Sequence, residues 1–425
     1  MSFAPHIRRR HLLSGQRWRM RLVFWGGAIA VGLVSVAFAW AANRATDLFH
    51  HLLVRPWLAF GLTPLLFMLS VFMARRFFPG SQGSGIPQAI AARRARHRRD
   101  SLLSVRLTAG KIALTLLGLA AGASIGREGP TVQVGAAIML KCGQWGGMGK
   151  ARGLILAGSA AGVAAAFNTP LAGIVFAIEE MGRAFEQKSS ALVLIAVILA
   201  GIASLGLVGN YNYFGSSTSM LLVTIDWVAV LVCGVAGGVL GGGFARATIW
   251  GNARLRAWLA QSGVPMSRAL AVAGICGLVV AACGFLSNGD SYGTGYEAAR
   301  GAVEGHALSW SFAPLKFIAT LASTLSGIPG GLFAPSLSVG AGMGSVIAHL
   351  LGVHAIGAIV LLGMCAYFAG VVQAPITAAV IIGEMTAATG MRLPLLLAAM
   401  IAYGVSRLIQ RESLYHALAE NFLKE

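Results

Sequence analysis

Gly126-Arg127-Glu128-Gly129-Pro130-Thr131-Val132-Gln133-Val134-Gly135 and Gly331-Leu332-Phe333-Ala334-Pro335-Ser336-Leu337-Ser338-Val339-Gly340 share one string, Gly-x-x-x-Pro-x-x-x-Val-Gly, at an offset of 205 residues. At the same offset Gly158, Pro170, Val175 and Glu179 recur as Gly363, Pro375, Val380 and Glu384. Gly83-Ser84-Gly85 has a looser echo in Gly293-Thr294-Gly295. Chance can supply one such match but not a collinear series, so the chain is built from two copies of one unit.

Outward from the repeat, the composition is that of a membrane protein. Of 425 residues, 56% are hydrophobic and 11% charged, a balance that soluble globular domains do not show. Residues 22–42 carry no charge, and neither do 317–383, a run that only several membrane segments in series can fill. Apolar stretches fall at 22–42, 56–74, 112–125, 153–178, 191–209, 227–245, 269–286, 317–383 and 393–406. Those too short to cross about 30 Å of hydrocarbon, or broken by Gly and Pro, need protein neighbours to satisfy their backbone. Gly234, Gly238 and Gly242, at four-residue spacing, suit close helix packing. The predicted fold is all-α and polytopic, a single transmembrane domain over 1–425 with repeat halves at about 22–210 and 226–409. Paired halves with interrupted segments at matching places are characteristic of secondary transporters, and their sites lie where the halves meet. We read the halves as inverted, although the repeat alone does not fix their sense.

The net charge of +19 raises nucleic acid as a partner. Its basic residues, however, sit between apolar runs and not over a soluble face, which argues against that class. Arg8, Arg9, Arg10, Arg17, Arg19 and Arg21 precede the first span, and Arg75, Arg76, Arg93, Arg94, Arg96, Arg98 and Arg99 follow the second. The positive-inside rule places both clusters, and the N-terminus, in the cytoplasm, with the basic arm against membrane lipid. The first apolar run lacks a small-residue cleavage site and stays as a helix. Cys142, Cys233, Cys276, Cys283 and Cys365 show no paired spacing, and the nine histidines, among them His50, His51, His349 and His354, form no ligand constellation. No metal site and no cofactor are expected.

Pro87, Pro130 and Pro335 each suit the first turn of a helix behind a glycine string. A helix start presents unpaired amide hydrogens and a partial positive charge. Three broken helices aimed at one point near the midplane would therefore make an anion site. Amides and hydroxyls there offset a desolvation cost of several kcal/mol without holding the ion as tightly as a full positive charge. Between Lys111 and Lys141 the charged residues are Arg127 and Glu128, and an acid inside a membrane protein is a functional candidate by default; the bland alternative is a salt bridge to a neighbour such as Lys111. Ile178-Glu179-Glu180-Met181 offers a second acid. Adjacent helical residues point about 100° apart, so one of the two glutamates faces any given pathway. The bland alternative here is a helix-end carboxylate paired with Arg183. Gly122-Ala123-Ser124-Ile125-Gly126 fits the Gly-x-Ser-x-Gly pattern of serine hydrolases, but it ends an apolar helical run where that chemistry needs a strand-turn-helix context.

The strings GSGIP (83–87), GREGP (126–130) and GGLFAP (330–335), in this order, resemble the three signature motifs of the CLC family of chloride channels and proton-coupled exchangers. The resemblance covers nearly the whole chain. It implies an anion site made by the Ser84 hydroxyl, the backbone amides of Leu332 and Phe333, and the hydroxyl of Tyr415. The tyrosine match, within Ser413-Leu414-Tyr415, is the shortest, and its alternative is an interfacial aromatic anchor. The resemblance makes Glu128 the external gate and proton acceptor: ionised, it competes for the anion site; protonated, it withdraws and carries a proton. It makes Glu180, with Glu179 as neighbour, the internal proton-transfer residue. Channels of the family often lack an acid there, so its presence favours exchange. Ser84 implies chloride over nitrate, and fluoride-type relatives depart further from GSGIP and GREGP. A homodimer with one pathway per subunit and a bacterial inner membrane are also implied. About ten residues follow Tyr415, so the regulatory domains of many eukaryotic relatives are not expected. The expected function is exchange of chloride for protons, with no enzymatic activity. A passive chloride channel is the runner-up, and an intramembrane enzyme using Ser124 the third reading.

Overall fold

The structure is a computed structural model that describes residues 15–148, 151–182, 187–209, 214, 215, 221, 224–261, 263–353 and 355–424. Arg8, Arg9, Arg10, Arg183 and His354 lie outside the described residues, as does the side chain of Arg17. The described chain is helical, and its order repeats. The first copy runs α1 (Gly15–Leu52), α2 (Ala59–Arg76), α3 (Ile86–Arg94), α4 (Val105–Ala120), α5 (Glu128–Trp145), α6 (Ala151–Phe167), α7 (Pro170–Phe176) and α8 (Gln187–Val208). The second runs α9 (Thr224–Ala260), α10 (Pro265–Leu286), α11 (Tyr296–Val303), α12 (Phe312–Leu325), α13 (Phe333–Leu351), α14 (Ile356–Val372), α15 (Pro375–Met385) and α16 (Arg392–Ile409), with α17 (Leu414–Lys424) closing the described chain.

Among the described residues, seven helices are long and apolar enough to cross a membrane, or eight if the pair Arg96–Leu102 and Val105–Ala120, bent by 51°, counts as one span. Their windows are mostly a third to two fifths buried. Apolar side chains such as Leu33, Ile202, Leu231 and Ile275 form the outer surface, as lipid requires. The protein is therefore a multi-pass membrane protein. The uncharged run 317–383 resolves into parts of four helices, α12 to α15. One of them, α14, is buried along Gly357–Val372. Its apolar sequence fills the interior of the protein instead of facing lipid.

The breaks are placed by local chemistry that both copies share. Asn168 and Gln373, equivalent positions, adopt φ of 57° and 58°, a left-handed residue that stops α6 and α14. Pro170 and Pro375 then start α7 and α15, where a missing amide hydrogen costs nothing. The glycines of α9 let neighbouring backbones approach. A Cβ added at Gly238 would lie 2.7 Å from the Ala402 carbonyl of α16, and one at Gly241 2.6 Å from the Tyr367 carbonyl of α14.

The copies grip each other reciprocally. Gly126 N–H donates to Gly331 O at 2.8 Å, and Gly331 N–H donates to Gly126 O at 2.7 Å, an isolated antiparallel bridge between equivalent residues. Glu179, beyond the end of α7, accepts from the amides of Ile376 (3.1 Å) and Thr377 (2.6 Å) at the start of α15. Glu384, near the end of α15, accepts from the amides of Leu171 (3.2 Å) and Ala172 (2.9 Å) at the start of α7. Glu179 and Glu384, equivalent residues of the sequence repeat, thus each cap the helix that follows the other copy's break.

Candidate functional site

Three glycine loops meet at the centre of the molecule. Gly83 N–H donates to Ile328 O (3.3 Å) and Gly330 N–H to Gly83 O (3.1 Å). With the Gly126–Gly331 bridge, these bonds tie together the segments leading into α3, α5 and α13. The approach is close enough to need glycine: a Cβ on Gly129 would stand 2.8 Å from Ser84 O and 3.2 Å from Gly331 Cα. Gly85, with φ of 100°, lets the chain turn into α3. The helix starts are thus brought together as the sequence predicts, and their first amides have no intrahelical acceptors.

Ser84 is buried, and its Oγ accepts from Ile86 N–H at 3.4 Å, which leaves the hydroxyl hydrogen to donate elsewhere. Leu332 and Phe333 are buried at the start of α13. The Phe333 ring is held by Phe368 (4.8 Å between centroids), Phe167 (5.8 Å) and Phe176 (6.0 Å), and the Tyr415 ring lies 6.0 Å away. Tyr415 is fully buried in the first turn of α17, and its hydroxyl has no hydrogen-bond partner among the described residues. That rules out the interfacial-anchor alternative. A buried, unanswered hydroxyl costs about 1–3 kcal/mol, and an anion beside it would recover that energy. A cavity of about 550 Å³ extends from Ser84 and Leu332 to Arg75, Arg256 and Asn421, so its approach is lined by positive charge.

Glu128 is the first residue of α5 and fully buried. A methyl group on Gly126 would collide with its Oε2. The carboxylate therefore folds back over the bridge that joins the copies. Lys111 Nζ donates to Gly83 O at 2.8 Å and so serves the first glycine loop. Lys316, its equivalent, donates to Gly293 O at 2.8 Å and to Ser291 O at 3.0 Å. The repeat offset was the signal that could have paired these two buried lysines.

Glu180 is buried in a π-helical turn, Ala177–Gly182. It accepts from Ser413 Oγ at 3.3 Å, and His416 Nε2 stands 2.9 Å from its carbonyl oxygen. Glu179 is spent on the α15 amides, so the two neighbouring acids divide between capping and the interior as the helical geometry predicts. The carboxylates of Glu180 and Glu128 both lie within electrostatic reach of the Tyr415 hydroxyl. Ser413 and His416 were missed in the sequence because 233 residues separate Ser413 from Glu180, and nothing local marks either as its partner. Ser124 Oγ shares a hydrogen bond with Thr320 Oγ1 at 2.8 Å, and its amide donates to Ser323 Oγ at 3.0 Å, a packing role between α4 and α12.

The family model described as voltage-gated chloride channel matches residues 66–407. The chain is similar to the H(+)/Cl(-) exchange transporter ClcA of Yersinia pestis, at 31% identity over 92% of this chain and 85% of that protein. It is similar to the protein of that name from Salmonella agona at 29% identity, over 96% of this chain and 90% of that one. Among solved structures, a slow cyanobacterial Cl-/H+ antiporter matches with a TM-score of 0.79 and 25% identity, covering 96% of this chain and 98% of that one. A match across most of the chain, together with three glycine loops joined at helix starts, leads to one conclusion: the chain belongs to the CLC family of voltage-gated chloride channels and exchangers.

Proposed function

We propose that this protein exchanges chloride for protons across the membrane, as an H+/Cl- antiporter. Chloride is held by the Ser84 and Tyr415 hydroxyls and the Leu332 and Phe333 amides. Glu128 acts as external gate and proton acceptor, and Glu180 as internal proton-transfer residue. The observation that carries the reading is the pairing of two buried carboxylates around one unanswered hydroxyl: an anion and a proton then compete for the same small region, and one glutamate can couple them. The relatives named as exchangers support antiport over a passive channel. The reading needs chloride and protons as transported ions, with no cofactor, no metal, no nucleic acid and no enzymatic step.

The same reading covers the setting. Residues 1–425 form a single transport domain with inverted halves at about 22–210 and 226–409, in a bacterial inner membrane with a cytoplasmic N-terminus, among lipid and as a homodimer. Its test is reconstitution into liposomes with chloride and proton flux measured together. An outward chloride gradient drives protons uphill, Glu128→Gln abolishes proton movement while chloride still passes, and Glu180→Gln removes coupling. Chloride flow without proton movement in the unmodified protein would refute exchange and leave the channel.

A further inference from the structure

His416 connects the protein surface to Glu180. It follows Tyr415 by one residue in α17, which packs across α3. Its Nε2 is 2.9 Å from the Glu180 carbonyl oxygen; a carbonyl can only accept, so Nε2 carries a hydrogen. Its Nδ1 is 2.6 Å from Arg94 Nη2; a guanidinium can only donate, so Nδ1 accepts. The two contacts together assign the neutral Nε2–H tautomer. The same Nε2 lies 3.8 Å from Glu180 Oε1. Arg94 also meets Glu420 Oε1 at 2.9 Å, in a pair whose side chains are 38% and 47% exposed, whereas His416 and Glu180 side chains are 8% and 4% exposed. The imidazole therefore spans the gap between a solvent-facing ion pair and a buried carboxylate.

We propose that His416 is a proton-relay residue that delivers protons to Glu180, with Arg94 controlling access to it; the proposal rests on Glu180 being the internal proton-transfer group. When Arg94 turns wholly to Glu420, Nδ1 faces water and takes a proton from hydronium, forming an N–H bond. The Nε2–H bond then breaks and its proton forms an O–H bond on Glu180 Oε1. No electrons are exchanged: the carboxylate is neutralised, and the imidazole is left in the Nδ1–H tautomer, which returns to the first by exchange with water. The charged groups around it are Arg94 and Arg93 of α3, Glu420 of its own helix, Arg256 of α9, and Glu180 itself. Arg93 donates to the Met181 carbonyl at 3.0 Å, holding the π turn in place, and Arg256 is bonded to Asn421. Helix α14, which also packs on α17, carries no charged residue. The neighbouring guanidinium favours the neutral ring, so loading requires Arg94 to leave.

The test uses the full chain in liposomes, with chloride efflux and chloride-driven proton uptake measured together over a series of pH values. His416→Gln keeps a donor for the Glu180 carbonyl but cannot take up a proton. Its chloride flux is expected within about twofold of the unmodified protein. Its proton flux should fall about tenfold or more and lose the rise on acidification that loading of the imidazole gives the unmodified protein. Arg94→Gln removes the adjacent cation and should move the pH profile of the unmodified relay by about one unit to the alkaline side. A His416→Gln protein with unchanged proton flux and profile overturns the proposal. If that variant loses both fluxes, Arg94→Gln decides: a shifted profile supports the relay and an unshifted one overturns it. Glu180→Gln in the same series separates the two readings. Full coupling there refutes the role of Glu180 itself, whereas lost coupling beside an unaltered His416→Gln refutes the relay alone.

Discussion

Gly126→Ala is the most informative single substitution, because the new methyl group collides with one flexible atom, Glu128 Oε2. Something must yield, and two costs decide what. Moving the backbone at 126 would break the paired bonds to Gly331, at 2.8 and 2.7 Å, for a net of about 1 kcal/mol each. It would also disturb the close contacts of Gly129 with Ser84 and Gly331. Turning the carboxylate aside costs about 0.5–1.5 kcal/mol if it leaves its rotamer well. The side chain yields first. We therefore expect the folded-back position of the Glu128 carboxylate to be destabilised by about 1 to 2 kcal/mol, a shift of roughly 5- to 30-fold in its population. In liposomes the variant should pass chloride faster than the unmodified protein while moving fewer protons per chloride, and it should keep its stability in detergent. Unchanged coupling, with Glu128 found in its original position in an experimental structure of the variant, would refute the reasoning. So would a variant that fails to fold, since that would mean the backbone had moved instead.

Further outcomes follow from the same geometry. Tyr415→Phe removes a buried donor that has no partner in the protein, and should weaken chloride binding by about 1.5 kcal/mol, roughly tenfold, by calorimetry; an unchanged affinity would place chloride elsewhere. Glu179→Ala and Glu384→Ala each strip two amides of their acceptor, and each should cost about 2 kcal/mol after allowance for partial exposure. Because both caps close one seam, the double variant should lose less than the sum in denaturant unfolding, and strict additivity would show that the caps act independently.

Much of the fold was legible because the repeat exposes what hydropathy hides. In 317–383 no charge marks a helix end, yet Gly331, Pro335 and Pro375 each sit where the first copy has its own breaks, and α13 and α15 begin there. The glycine loops were legible for a similar reason: close approach and helix starts both leave Gly and Pro in the chain. The surroundings of Glu180 were not. Ser413 and His416 reach it across 233 and 236 residues, and a serine or a histidine near a chain's last helix has no local periodicity that would report a partner. The reciprocal caps lie between these cases. Glu179 and Glu384 were visible as equivalent residues, but that each serves the other's helix requires the two copies to be seen in contact.

Those caps and the central bridge limit how the molecule can move. Swinging one half against the other would have to release, besides the bonds of Gly83 to Ile328 and Gly330, six further backbone amides, two at Gly126 and Gly331, two from Glu179 and two from Glu384. At about 1 kcal/mol apiece, and more for those held by a carboxylate, the cost is about 6 kcal/mol or above before any packing is lost. Rotating one glutamate costs several-fold less. The frame is stitched, so on the proposed reading, with the Glu128 side chain as the gate, opening to either face of the membrane is expected to be a local event that leaves the two halves in one arrangement.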